Sequence, residues 1–237
     1  MKRNEVCALI RKLGIVPAVR VSSGDDAHFA AEAIAHGGIP IVEITLTVPG
    51  AVELISHLVH HHPNVTVGAG TVLDVETARR CLDAGASFLT SPGFDREIIE
   101  FAAKQDLAVL PGALTPTEVI VAWKAGVDFV KVFPCAQVGG EKYIKALHTS
   151  LPQIPLIAAG GVNQQTAAAF IMSGATAIGI GTELIPTEAI ERRQSERIRE
   201  LAHRFTGFVN DARQRLEATR EKNAAFRKFV ETDNCKK

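Results

Sequence analysis

The sequence has little of what marks a nucleic-acid or membrane partner. Its 237 residues carry 26 Lys and Arg against 26 Asp and Glu, so no surplus of one sign draws a polyanion or an anionic surface. It has one Trp and one Tyr, and aromatics make up 5% of the chain, too few for the stacking platforms that hold single-stranded nucleic acid. No apolar run approaches the roughly 18 residues of a membrane span. The charged opening Met1-Lys2-Arg3-Asn4-Glu5 leads into no apolar segment of the signal-peptide kind. Cysteine is sparse: Cys7, Cys81, Cys135 and Cys235 form no C-x-x-C pair and lie at no ligand spacing from a His, which excludes the common zinc and redox motifs. A chain this long buries a large core without disulfides. The expectation is a reduced, cytoplasmic protein whose partner is a small molecule, with neither nucleic acid nor membrane.

What is abundant is Ala, Gly, Val and Ile, the vocabulary of parallel strands packed under helices. Short apolar runs recur at Ile15–Arg20, Ile41–Leu46, Val65–Ala69, Phe88–Ser91, Ala108–Pro111, Phe129–Phe133, Leu156–Ala159 and Ala177–Gly181. Each is followed by a turn and an amphipathic stretch, with Asp25, Asp74, Asp95 and Asn163 as expected helix caps. Gly-Gly, Ala-Gly or Ser-Gly steps close several helices, as at Gly37-Gly38, Ala84-Gly85, Ala125-Gly126 and Ser173-Gly174. Eight strand-helix units make a (β/α)₈ TIM barrel the economical fold, with an N-terminal helix and a long C-terminal helix; a doubly wound sheet is the alternative. Residues 1–221 are expected to form a single barrel, and 222–237, with Phe226, Phe229 and Val230 among charges, a tail. Between Ile190 and Leu216 apolar residues recur at helical spacing, and the intervening Arg residues are interspersed with Glu, which predicts a solvated, ion-paired outer face. His60-His61-His62 falls at a helix end before Pro63; consecutive residues point to different faces, so this is no metal site, and the negative helix end accounts for it.

In such a barrel chemistry sits where strands end. Alternation along Phe129-Val130-Lys131-Val132-Phe133 turns Lys131 inward with Phe129 and Phe133. Taking an ammonium out of water favours the neutral amine, a nucleophile suited to Schiff-base formation with a carbonyl. Along Ile41-Val42-Glu43-Ile44-Thr45-Leu46-Thr47 the same alternation turns Glu43 inward, where a carboxyl can move protons. A purely structural Lys131–Glu43 ion pair remains open at this point. Gly160-Gly161 after the seventh strand, and Gly179-Ile180-Gly181-Thr182 at the eighth, offer backbone N–H groups where barrels of this kind hold phosphate, although tight turns also want glycine. Thr71, in Gly68-Ala69-Gly70-Thr71, can hydrogen-bond a carboxylate or carbonyl; Gly93 in Ser91-Pro92-Gly93 is turn chemistry. Cys135 is a small loop residue.

As a set, Val42-Glu43-Ile44-Thr45-Leu46, Val67-Gly68-Ala69-Gly70-Thr71-Val72, Ser91-Pro92-Gly93, Val130-Lys131-Val132-Phe133-Pro134 and Gly160-Gly161-Val162 are specific in order and spacing. Over about residues 5–215 the chain resembles the 2-keto-3-deoxy-6-phosphogluconate aldolases, also called 4-hydroxy-2-oxoglutarate aldolases. The resemblance implies a trimeric class I lyase that needs no metal or other cofactor and cleaves 2-keto-3-deoxy-6-phosphogluconate to pyruvate and glyceraldehyde 3-phosphate, and/or 4-hydroxy-2-oxoglutarate to pyruvate and glyoxylate. It implies Lys131 as the Schiff-base lysine, Glu43 as general acid and base, and Thr71, Pro92 and Phe133 around the pyruvyl part. Gly160, Gly161 and Thr182 match the phosphate site. Thr47 stands where many members have the Arg that holds the substrate carboxylate. Members with Thr-Val-Pro there, as in Thr47-Val48-Pro49, carry an Arg matched by Arg20, which is therefore the expected anchor. Ala159 stands where many members have Thr. A galactonate-derived substrate, an unphosphorylated one, a non-catalytic phosphate-ligand-binding barrel and a structural subunit remain the alternatives.

Overall fold

The computed structural model describes the backbone of residues 1–234 and the side chains of residues 1–223. Its strand segments are β1 (Ile15–Val19), β2 (Ile41–Thr45), β3 (Thr66–Gly70), β4 (Phe88–Thr90), β5 (Ala108–Leu110), β6 (Gly112–Ala113), β7 (Val130–Val132), β8 (Leu156–Ala159) and β9 (Ala175–Ile180). They form one parallel sheet in the order β5-β4-β3-β2-β1-β9-β8-β7-β6. The two ends of that row are consecutive in the chain and separated by Pro111 alone. They are halves of one stave, β5 pairing with β4 and β6 with β7, so the sheet closes into a (β/α)₈ barrel. All eight expected strands are present. The fifth divides because proline has no N–H to give a ladder; the Pro111 carbonyl still accepts from the Lys131 N–H at 2.9 Å.

The helices are α1 (Arg3–Leu13), α2 (Gly24–His36), α3 (Ala51–His61), α4 (Val75–Asp83), α5 (Arg96–Lys104), α6 (Pro116–Lys124), α7 (Glu141–Ser150), α8 (Ala167–Met172), α9 (Thr187–Glu191) and α10 (Ser195–Asn234). Asp74 and Asp95 cap α4 and α5 as expected, accepting from the Thr77 and Ile98 amides. Two expected caps move. Ser23 caps α2 in place of Asp25, which lies in the first turn beside the positive helix end. Asn163 heads a turn, its side chain accepting from the amides of Gln165 and Thr166, and α8 begins only at Ala167. The short polar side chains at these positions satisfy neighbouring amides locally and so compete with the helix for the same residues.

α1 crosses the end of the barrel where the strands begin. Arg3 pairs with Asp128 and donates to the Gly126 carbonyl just before β7, and the Arg11 guanidinium lies 4.5 Å over the Phe129 ring. α10 packs on α8 and α2 through Ile198, Leu201, Ala202, Phe205, Val209 and Ala212, all buried. Ile190 belongs to α9, a separate short helix. The outer face of α10 is ion-paired, Arg199 with Glu196 and Arg204 with Glu200. The backbone of the expected tail continues α10 as far as Asn234; Phe226, Phe229 and Val230 lie outside the described side chains.

One residue ties α10 to the barrel floor. The half-buried Arg213 donates to the carbonyls of Lys12 (2.7 Å), Arg11 (2.8 Å) and Thr176 (3.0 Å). Burial draws its pKa below the ordinary guanidinium value without removing the charge. Charge-assisted bonds to carbonyls contribute about 1.5–3 kcal/mol each when buried, and solvent screens these. Arg213→Met is expected to cost about 2 kcal/mol in total, read as a lower urea midpoint at unchanged slope. An unchanged midpoint would remove the latch.

Candidate active site

Two staves deliver the chemistry. On β2, Val42 and Ile44 face the helix layer, and Ile41, Glu43 and Thr45 turn into the barrel, all buried. Glu43 sits opposite Gly68 of β3, and its carboxylate lies over Gly70, where an added Cβ would strike it. Thr45 donates from Oγ1 to the Val19 carbonyl at 3.0 Å and contacts Thr47 Oγ1 at 2.8 Å. On β7, Val130 and Val132 are fully buried and Lys131 turns inward. Its Nζ lies 3.6 Å from Glu43 Oε2, 3.4 Å from Thr90 Oγ1 and 5.8 Å from the Phe133 ring centre. The Glu43 side chain is 5% exposed and that of Lys131 15%, so the amine, more than the carboxylate, reaches open space.

That space is a cavity of about 300 Å³ at the carboxyl ends of the strands, lined by residues of β1, β2, β7, β8, β9 and the loops that follow them. It brings together seven of the ten expected residues: Arg20, Glu43, Lys131, Phe133, Gly160, Gly161 and Thr182. Thr47, Thr71 and Pro92 lie outside its lining. Gly160 and Gly161 have φ of +86° and +82°, and a Cβ on Gly161 would run into the Ala136 methyl, so the turn itself demands the pair. The amides of Gly161, Val162, Gly181 and Thr182, all in the cavity wall, donate to no group among the described residues. They are the free donors an anion would take. The expected helix N-terminus behind the glycine pair is absent, because the Asn163 turn intervenes.

Sequence reasoning missed two neighbours. Thr90 touches the lysine amine, and the alternation that turns Phe88 inward over Gly68 was the available signal. Glu183 stands in the cavity wall beside Thr182, with nothing in the local pattern to mark it.

Other candidates fall away. The Cys135 thiol, four residues after Lys131, is pushed up to about 12 by burial and stays protonated. His60 and His61 turn their Nδ1 atoms back to the carbonyls of Ser56 and His57, serving the end of α3. No group of three His, Cys, Asp or Glu able to hold a metal occurs among the described residues. A larger cleft of about 690 Å³ lies at the opposite end of the barrel, between α10 and the start of β9, far from Lys131.

An amine facing a carboxylate in the carboxyl-end mouth of a (β/α)₈ barrel is the arrangement a class I aldolase, a carbon–carbon lyase, requires. The chain belongs to the KDPG and KHG aldolase family, whose model matches residues 6–201. It is 32% identical over 209 residues to the 2-dehydro-3-deoxy-phosphogluconate aldolase of Pseudomonas aeruginosa, covering 86% of this chain and 94% of that one. It is 30% identical over 189 residues to the KHG/KDPG aldolase of Escherichia coli, covering 79% of this chain and 88% of the other. The KDPG aldolase of Legionella pneumophila, solved with pyruvate held as a covalent carbinolamine, superposes with a TM-score of 0.77 at 29% identity, covering 83% of this chain and 96% of that one. No helix among the described residues is long and apolar enough to cross a membrane.

Proposed function

We propose that the chain cleaves 2-keto-3-deoxy-6-phosphogluconate to pyruvate and glyceraldehyde 3-phosphate, and 4-hydroxy-2-oxoglutarate to pyruvate and glyoxylate, through an imine on Lys131. The observation that carries this is the Lys131 amine, 3.6 Å from the buried Glu43 carboxylate at the mouth of the cavity. Lys131 Nζ gives a proton to Glu43 and attacks the C2 ketone, and Glu43 passes that proton to the oxygen to form the carbinolamine. Nζ returns a proton to Glu43, which passes it to the hydroxyl; water leaves and an iminium remains. Glu43, or a water it holds, then takes the C4 hydroxyl proton. The C3–C4 bond breaks, C4 becomes the aldehyde, and the electron pair enters the iminium to give an enamine. Protonation at C3 and attack of water release pyruvate and free Lys131.

In this proposal Arg20 anchors the substrate carboxylate and the Phe133 ring borders the pyruvyl part. The free amides around Gly160, Gly161 and Thr182 take the phosphate. Roles for Thr47, Thr71 and Pro92 rest on the family resemblance alone. The same resemblance supports a homotrimer, and the helical spacing of apolar residues as far as Leu216 supports one folding unit over residues 1–221 followed by a tail. The buried free thiols of Cys7, Cys81 and Cys135 support a reducing, cytoplasmic setting.

Glu183 favours the unphosphorylated substrate as the better one. The charged residues lining the cavity are Arg20 and Lys131 against Glu43 and the exposed Glu183, so their formal charges balance. Pyruvate release is to be measured from both substrates and from the galactonate epimer, on the purified protein and on Glu183→Gln. Removing the negative charge is expected to raise kcat/KM for the phosphorylated substrate about fivefold and to leave 4-hydroxy-2-oxoglutarate nearer its original value. Equal gains would deny Glu183 this role, and no pyruvate from any of them would leave a non-catalytic barrel.

A further inference from the structure

The buried hydroxyl of Thr90 touches the one atom on which the proposed chemistry turns. Thr90 closes β4, is 1% exposed, pairs with Leu110 of β5 and accepts the Val72 amide at its carbonyl, so its position is fixed by backbone. Its Oγ1 lies 3.4 Å from Lys131 Nζ and has no other partner among the described residues. A hydroxyl taken out of water costs free energy unless it is hydrogen-bonded, so burial here is tolerated because the amine is its partner.

We propose that Thr90 is a positioning residue for the Schiff-base lysine, an inference that rests on the imine reading above. A lysine amine swings on a flexible four-carbon stem. The neutral amine has two N–H bonds and one lone pair. With one N–H given to Thr90 Oγ1 and the other facing Glu43, the lone pair points away from both, into the cavity where the ketone sits. After dehydration the iminium keeps a single N–H. Thr90 can accept it, leaving the Glu43 carboxylate to carry the hydroxyl protons of the later steps. Thr90 exchanges no proton and forms no covalent bond; it fixes the direction of attack, which belongs to the chemical step and not to ground-state binding.

The test compares Thr90→Val, which keeps the shape and loses the hydroxyl, with Thr90→Ala and Thr90→Ser. For each, pyruvate release is measured under steady state, and the rate of borohydride-trapped pyruvyl adduct is followed at saturating pyruvate. The Val and Ala variants are expected to lose about tenfold in kcat and in trapping rate, with KM within about twofold, and Ser to return to within about threefold of the original. The Ala variant serves if Val proves too unstable to purify. A Val or Ala variant that traps at the original rate overturns the proposal. So does a loss expressed in KM alone, or a Ser variant as slow as Ala. Failure of the imine reading looks different: the unsubstituted protein would then trap no pyruvate at all.

Discussion

Lys131→Ala is expected to lose activity by on the order of 10⁴-fold, because the residue supplies the atom that becomes covalently bound, and no other group in the cavity wall can replace it. The Arg20 guanidinium, its nitrogen lone pairs delocalised over the planar group, cannot act as the nucleophile. The Cys135 thiol is held protonated by burial. The substitution also leaves the Glu43 carboxylate buried without its cation. Breaking a buried pair from one side costs about 3–5 kcal/mol, and with Lys131 15% exposed the loss here is expected nearer about 2 kcal/mol. Steady-state pyruvate release and urea unfolding on the same sample read the two effects separately. A pair that only holds the barrel together predicts lost stability with surviving activity; a catalytic lysine predicts lost activity whatever happens to stability.

The second large effect belongs to Glu43. Glu43→Gln keeps the side-chain shape that fits over Gly70 and removes the acid and base together. General acid–base catalysis contributes typically about 10²–10⁴-fold, and a loss in that range is expected in kcat. Lys131 remains, so pyruvate should still be trapped by borohydride, slowly and to the same final extent. Full trapping at the original rate would assign proton transfer to another group. A complete absence of trapping would mean that Glu43 is needed to place the amine as well as to serve it.

How far the sequence carries this site depends on the kind of residue. Lys131 and Glu43 were legible because a charge in an apolar strand has a definite facing under period-two alternation, and the barrel places that face at one mouth. The fifth stave was legible in its place but not in its division, although Pro111, which lacks a ladder donor, was in plain view. Alternation turns Thr90 inward with Phe88, but Thr is an ordinary strand residue, and only the folded barrel brings β4 against Lys131 of β7. Glu183 was hidden because it follows the last strand, where side-chain direction is set by the loop and not by a repeat. The Gly160-Gly161 pair offers backbone for an anion ahead of a helix expected from Asn163. The structure keeps the free amides, and replaces the helix by the Asn163 turn, whose local hydrogen bonds compete with helix formation. Family resemblance reached Thr47, Thr71 and Pro92, which geometry leaves outside the cavity lining.

The imine is a covalent bond at one nitrogen, and reductive trapping reads it directly. The purified protein is incubated with pyruvate and sodium borohydride, digested, and mapped by mass spectrometry. A reduced pyruvyl adduct is expected on the peptide that contains Lys131, formed only when pyruvate and reductant are both present. Modification confined to any other lysine, or none, would contradict it.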